Sequence, residues 1–106
     1  GADEFAAMKQ SAYFFNVGRG PIVDQAALLA ALNEGAIAGA GIDVTDPEPL
    51  PPDDPLWDVP NLILLTHYAG LTPKYGPRAY EILSENLRRF LNGEELLNIV
   101  DKQRGY

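Results

Sequence analysis

The sequence predicts an α/β fold: a parallel sheet of about three strands with flanking helices. Three observations lead there. Short apolar runs at 12–17 (AYFFNV), 37–44 (IAGAGIDV) and 61–65 (NLILL) read as strands. Helical stretches follow the first and third runs, giving the order β-α-β-loop-β-α, which implies parallel strands joined by right-handed crossovers. Composition allows a packed core, since 46% of the 106 residues are hydrophobic and a chain of this size suits one domain. Parallel strands are normally covered on both faces. Two helices can hardly cover both, so the chain is expected to be a piece of a larger α/β domain.

Taken in order, residues 1–10 mix polar and apolar character and read as the end of a helix or turn. The first strand is rich in aromatics and stops at Gly18, and Gly18-Arg19-Gly20-Pro21 is a turn. Asp24 stands where an N-cap is wanted, because its carboxylate can accept from the free amides of a first turn. Strong helix formers fill 25–34, with Leu28, Ala31 and Leu32 on one stripe, and Gly35 supplies a left-handed stop. The second strand is full of small residues (Ala38, Gly39, Ala40, Gly41), which suit a place where another backbone or a ligand approaches closely. Residues 45–60 hold six of the nine prolines and five acids. No regular element is expected there, only a semi-rigid loop pinned by Leu56 and Trp57. The third strand is wholly apolar and His67 lies just past its end. Thr72-Pro73 begins a preliminary turn, and the main helix is expected near Pro77 or kinked there. Its apolar stripe is Tyr80, Leu83, Leu87 and Phe90/Leu91. Arg88 and Arg89 complement the dipole in its last turn and Asn92-Gly93 closes it. Residues 94–106 form a tail with one apolar cluster, Leu96–Val100.

Charge and residue usage exclude several function classes. Fifteen acids against eight bases give a net charge of -7, which leaves no basic footprint for nucleic acid or an anionic membrane surface. Without cysteine there are no disulfides, thiolate metal sites or thiol nucleophiles. That absence, with no signal-like N-terminus, makes a cytoplasmic protein the expectation. No apolar run approaches the ~20 residues of a membrane span. With a single histidine, no metal site is expected.

Candidate chemistry follows from where the strands end, because open parallel sheets bind ligands outside the carboxyl ends of their strands. Asn16 and Arg19 follow the first strand, Asp43 and then Glu48 follow the second, and His67 follows the third. Arginine can clamp a carboxylate through two parallel hydrogen bonds. Histidine can hold or give a proton near neutral pH, and a carboxylate beside it favours the imidazolium and selects which ring nitrogen faces a substrate. The set suits a small carboxylic acid bearing a carbonyl or hydroxyl group. Each residue also has a plainer reading: Arg19 as an exposed turn residue, His67 as a hydrogen-bonded structural residue, Glu48 as a solvated acid, Asp43 as a turn cap. Gly18-Arg19-Gly20 offers only the first two glycines of a dinucleotide fingerprint. Val23 takes the third position and Pro21 removes an amide, so phosphate cradling is not expected here.

Asn16-Val17-Gly18-Arg19-Gly20, Val23-Asp24 with Ala27-Leu28, Gly41-Ile42-Asp43-Val44 with Glu48-Pro49-Leu50, and His67-Tyr68-Ala69-Gly70 occur in that order. Together they resemble the NAD(P)-dependent D-isomer-specific 2-hydroxyacid dehydrogenases, of the glyoxylate/hydroxypyruvate reductase kind, over about residues 1–100. Two departures are Thr66, where the family usually has proline, and Thr45 after Asp-Val. The resemblance implies a partial Rossmann-like sheet, with residues 1–106 forming the C-terminal part of a larger dinucleotide-binding domain and 94–106 packing on a substrate domain. It implies Arg19, Glu48 and His67 as catalytic residues. Arg19 would bind the substrate carboxylate, His67 would exchange the proton, and Glu48 would hold the imidazolium. It implies Asn16, Val17, Gly18, Asp43, Ala69 and Gly70 at the cofactor, NAD or NADP, whose phosphate loop precedes the matching region. The substrate would be a small 2-keto or 2-hydroxy acid, and the partner a second copy or a complementing fragment. The chain alone is expected to be nearly inactive, because orientation and binding energy are incomplete. The alternative is a non-catalytic nucleotide-binding or protein-interaction relative of the same fold. A binding module has no need of a histidine with its carboxylate, and the joint presence of Arg19, Glu48 and His67 argues against it.

Overall fold

In the computed structural model, which describes residues 1–105, three parallel strands lie in the order β1 (Tyr13–Asn16), β2 (Gly39–Ile42) and β3 (Leu62–Leu64). Tyr13 pairs with Gly39 and Asn16 with Ile42. Ile42 in turn pairs with Leu64, so the three carboxyl ends share one edge of the sheet. This is the partial Rossmann-like α/β sheet expected from the sequence, with each strand two to four residues shorter than its apolar run.

The chain divides into two compact units, residues 1–69 and the residues from Gly70 on. In the first, α1 (Ala2–Ala6) and α2 (Gln25–Asn33) pack together beside the sheet. Asp24 caps α2 by accepting from the Ala27 amide at 3.0 Å, and Gly35 sits at φ 66° one residue beyond the C-cap, as its freedom from Cβ sterics permits. Leu28, Ala31 and Leu32 bury the predicted stripe against Phe5, Ile37, Ala40, Ile42, Leu50, Leu56 and Val59. Each buried leucine contributes roughly 1.5–3 kcal/mol of transfer free energy. Phe5 meets Phe14 edge-on, with ring centroids 5.3 Å apart.

The small residues of β2 are explained by what lies over them. A Cβ on Gly39 would stand 2.8 Å from the Asn61 carbonyl oxygen and 3.1 Å from the Tyr13 ring, and one on Gly41 2.9 Å from the Phe15 ring. The close approach is therefore made at Gly39 by the Asn61 backbone, as expected of another backbone, and by the Tyr13 ring, and at Gly41 by the Phe15 ring. Tyr13, Phe15 and Ile63 remain exposed.

The proline-rich loop does hold one regular element, a 3₁₀ turn over Pro55–Asp58. Proline is tolerated at its start because that amide needs no partner, and Asp54 accepts from the Leu56 amide at 2.9 Å. Leu56 pins the loop to the core. Trp57 is half exposed and fastens the loop to itself, donating to the Pro51 carbonyl at 2.7 Å.

The second unit is built on α3 (Tyr75–Leu91). The helix starts two residues before Pro77, which falls in the first turn where its missing amide costs nothing. Glu85 receives Arg88 at 2.9 Å and Arg89 at 2.8 Å, and Arg88 also reaches Glu94 at 2.7 Å. Asn92 is the C-cap and Gly93 follows at φ 69°. The tail is tied back through paired bonds between the Asn86 amide group and the backbone of Leu97. The last residue of the predicted tail, Tyr106, lies outside the described residues.

Candidate active site

The shared strand edge is stitched together by backbone bonds running across it. The Asp43 amide donates to the Asn16 carbonyl at 2.9 Å, and the His67 amide donates to the Asp43 carbonyl at 2.8 Å. The pairing thus continues past the ends of β2 and β3 and sets the positions from which the candidate side chains leave the sheet.

After β1, Asn16 is buried and its side chain closes a small ring of bonds. Its Oδ1 accepts from the Gly18 amide at 3.1 Å and its Nδ2 donates to the Arg19 carbonyl at 3.0 Å. This Asx-type turn shapes Val17–Arg19. Val17 and Arg19 stay exposed. The Arg19 guanidinium bonds within its own loop, through Nη1 to the Gly18 carbonyl at 2.6 Å, and makes no other side-chain bond among the described residues.

After β3, His67 Nδ1 lies 2.6 Å from Glu48 Oε1. The pair predicted from two residues 19 apart is formed. With Nδ1–H donating to the carboxylate, Nε2 is left for proton exchange. Both side chains are substantially exposed, 43% for His67 and 38% for Glu48. A pair this exposed is worth only about 0–1 kcal/mol. His67 sits at φ 58°, a left-handed conformation that costs a non-glycine residue on the order of 1 kcal/mol or more. The ion pair is therefore too weak to hold the histidine backbone there, and other bonds must do so.

Asp43 supplies them. It is 3% exposed, and its Oδ1 accepts from the Tyr68 amide and its Oδ2 from the Ala69 amide, both at 2.9 Å. Gly70 opens the second unit.

Two features that position the Glu48 loop escaped the sequence reading. Gly20 is buried so tightly that a Cβ would stand 2.0 Å from the Thr45 carbonyl oxygen, which docks the Arg19 loop on the stretch leading to Glu48. The Gln25 side chain pairs with both backbone groups of Asp46, donating to its carbonyl at 2.8 Å and accepting from its amide at 2.7 Å. A glycine after a turn is a faint signal for the first. Gln25 gives none, since glutamine at a helix start reads only as a good helix former. Among the described residues no cluster of three side chains could hold a metal ion, and no helix is long and apolar enough to cross a membrane.

Residues 1–69 match the family described as D-isomer specific 2-hydroxyacid dehydrogenase, NAD binding domain. Among curated relatives, the glyoxylate reductase of Korarchaeum cryptofilum is 44% identical over 103 residues, covering 97% of this chain and 31% of that protein. The glyoxylate/hydroxypyruvate reductase B of Citrobacter koseri is 45% identical, covering 97% of this chain and 32% of that protein. The chain thus spans about a third of the length of these relatives. A solved D-isomer specific 2-hydroxyacid dehydrogenase from Xanthobacter autotrophicus Py2, in complex with NADPH and MES, superposes with a TM-score of 0.88 at 45% identity, covering 99% of this chain and 43% of that one. With its parallel sheet, the Glu48–His67 pair at the sheet's carboxyl edge and this match over most of its length, the chain belongs to the D-isomer specific 2-hydroxyacid dehydrogenase family, in the part described as the NAD binding domain.

Proposed function

We propose that the protein is a cytoplasmic NAD(P)-dependent oxidoreductase acting on a small D-2-hydroxy or 2-keto acid, with glyoxylate and hydroxypyruvate as the first substrates to test. The observation that carries this reading is the 2.6 Å contact between Glu48 and His67 at the edge where Arg19 also leaves the sheet. In it, Arg19 clamps the substrate carboxylate and fixes the keto group. His67 gives its Nε2 proton to the carbonyl oxygen in reduction and takes it back in oxidation. Glu48 stabilises the imidazolium and holds the ring in one orientation.

The residues fit the nicotinamide end of a dinucleotide. Each Asp43 oxygen accepts one amide and keeps one acceptor position, the chemistry a carboxamide donor needs, and Val17 offers exposed apolar surface beside the strand end. Asn16, Val17, Gly18, Asp43 and Ala69 are therefore assigned to that end of the cofactor, with Gly70 following in sequence. The segment after β1 does not suit a pyrophosphate. It enters a three-residue 3₁₀ turn, too short to present a helix N-terminus, with Pro21 lacking an amide. When bound, the nicotinamide supplies or accepts the hydride; the chain's own residues bind, orient and move the proton. Residues 1–106 then form the C-terminal part of the dinucleotide domain, and the tail from Glu94 packs on a substrate domain. The chain alone is nearly inactive.

The test is oxidation of NADH or NADPH by the full-length protein with glyoxylate, followed at 340 nm. Turnover is expected, and Arg19→Ala is expected to lower kcat/KM roughly 10- to 100-fold by removing charged hydrogen bonds. Absence of turnover with either cofactor and either keto acid, in a folded protein, contradicts the assignment and favours the non-catalytic relative.

A further inference from the structure

We infer that Asp43 is a positioning residue for His67, holding the histidine turn in the conformation that brings Nδ1 to Glu48. The inference deepens the proposed function and rests on it only for its consequence in turnover. One residue on the end of β2 accepts from three successive amides of the next loop: its carbonyl from His67 at 2.8 Å, its Oδ1 from Tyr68 at 2.9 Å and its Oδ2 from Ala69 at 2.9 Å. Its own amide is fixed to Asn16, so the clamp is anchored in the sheet. The three bonds span the residue that sits at φ 58°. A left-handed histidine persists only where its surroundings over-determine it, and three bonds from one buried residue do so.

The choice of a carboxylate also follows. Two backbone amides converge on one side chain, and each needs an acceptor. Asparagine offers one oxygen and one amino group, so whichever way it turned, one of the two amides would face a donor. No arginine, lysine or histidine side chain pairs with Asp43 among the described residues. The side-chain oxygens instead accept from the two backbone amides. Aspartate at this position is thus matched to the turn, in addition to any contact it makes with a cofactor.

His67 is the sole histidine, so its ring nitrogens can be assigned without ambiguity in the ¹⁵N-labelled chain. In the unmodified chain, at a pH high enough to keep the ring neutral, distinct Nδ1 and Nε2 shifts are expected, with through-hydrogen-bond couplings from the Tyr68 and Ala69 nitrogens to the Asp43 carboxylate carbon. In Asp43→Asn, exchange at the Tyr68 and Ala69 amides is expected to quicken about 5-fold or more, the two ring shifts to converge, and the α2 amides to keep their protection. Ring shifts unchanged in Asp43→Asn despite faster exchange at Tyr68 and Ala69 would overturn the inference. Should that variant not fold, the unmodified chain decides. The absence of both couplings overturns the clamp, and their presence with resolved ring shifts supports it. These readouts need no substrate. If His67→Ala leaves turnover intact while the clamp is observed, the catalytic reading fails and the positioning of His67 stands.

Discussion

Replacing Gly20 with alanine tests how the Arg19 loop is docked on the Glu48 loop. The added Cβ would lie 2.0 Å from the Thr45 carbonyl oxygen, 2.2 Å from its carbon and 2.8 Å from the Asp46 nitrogen. All three are backbone atoms, so no side-chain rotation relieves the clash. Real Cβ atoms essentially never approach within 3.0 Å, and the two loops must part by about 1 Å. Overpacking of this kind costs about 1–3 kcal/mol. Urea denaturation followed by the fluorescence of Trp57, the sole tryptophan, reads it directly. Taking about 2 kcal/mol and a slope of about 2 kcal/mol per molar, the midpoint falls by about 1 M. In the full-length protein the same displacement moves Arg19 relative to the proton donor, and a 1 Å misplacement costs about 10²-fold in turnover. Gly76→Ala is the control, since nothing lies within 4 Å of its Cβ, and alanine should be tolerated or favoured in α3. A Gly20→Ala midpoint indistinguishable from that of the unmodified chain would show that the two loops are not docked through this glycine.

Other outcomes follow from single features. Asp24→Ala removes the acceptor for the Ala27 amide and should lower stability by about 1 kcal/mol in the same denaturation experiment; an unchanged midpoint would show that the cap contributes nothing. The Glu85 carboxyl is held down at about 2, first by the Arg88 hydrogen bond and then by that of Arg89. Because its folded value is depressed, its contribution is full above the ordinary carboxylate range near 4.5 and is lost as pH falls from there toward 2. The helical circular dichroism of the chain should show an acid component in that window that Glu85→Gln abolishes. The group is exposed, so high salt should weaken the effect, and an identical acid profile in the variant contradicts it. Finally, the exposed apolar face formed by Tyr13, Phe15 and Ile63 should drive the isolated chain to self-associate; light scattering of a clean, concentration-independent monomer would exclude this.

Much of the fold is written in local signals. The N-cap at Asp24, the left-handed Gly35 and Gly93, and the three apolar runs each act through a few neighbouring residues, so periodicity and turn chemistry reveal them. The strand ends do not, because a ladder stops where the partner strand stops, and that is a tertiary fact. The glycines of β2 announced a close approach without saying whose; the Asn61 backbone and the rings of Tyr13 and Phe15, all more than 20 residues away, turned out to be the visitors. In the site, the candidate acid and base were legible because their residue types carry the chemistry. What holds them was not. The second and third acceptor roles of Asp43 depend on a turn at φ 58°, and the Gln25–Asp46 pair joins residues 21 apart with no pattern in the chain to mark it.

The most direct test of the account replaces the sole imidazole. In the full-length protein, His67→Ala should reduce kcat for keto-acid reduction at least about 10²-fold, the usual contribution of a positioned proton donor, while the chain keeps its fold. Turnover within about twofold of the unmodified protein would leave the Glu48–His67 pair without a chemical role.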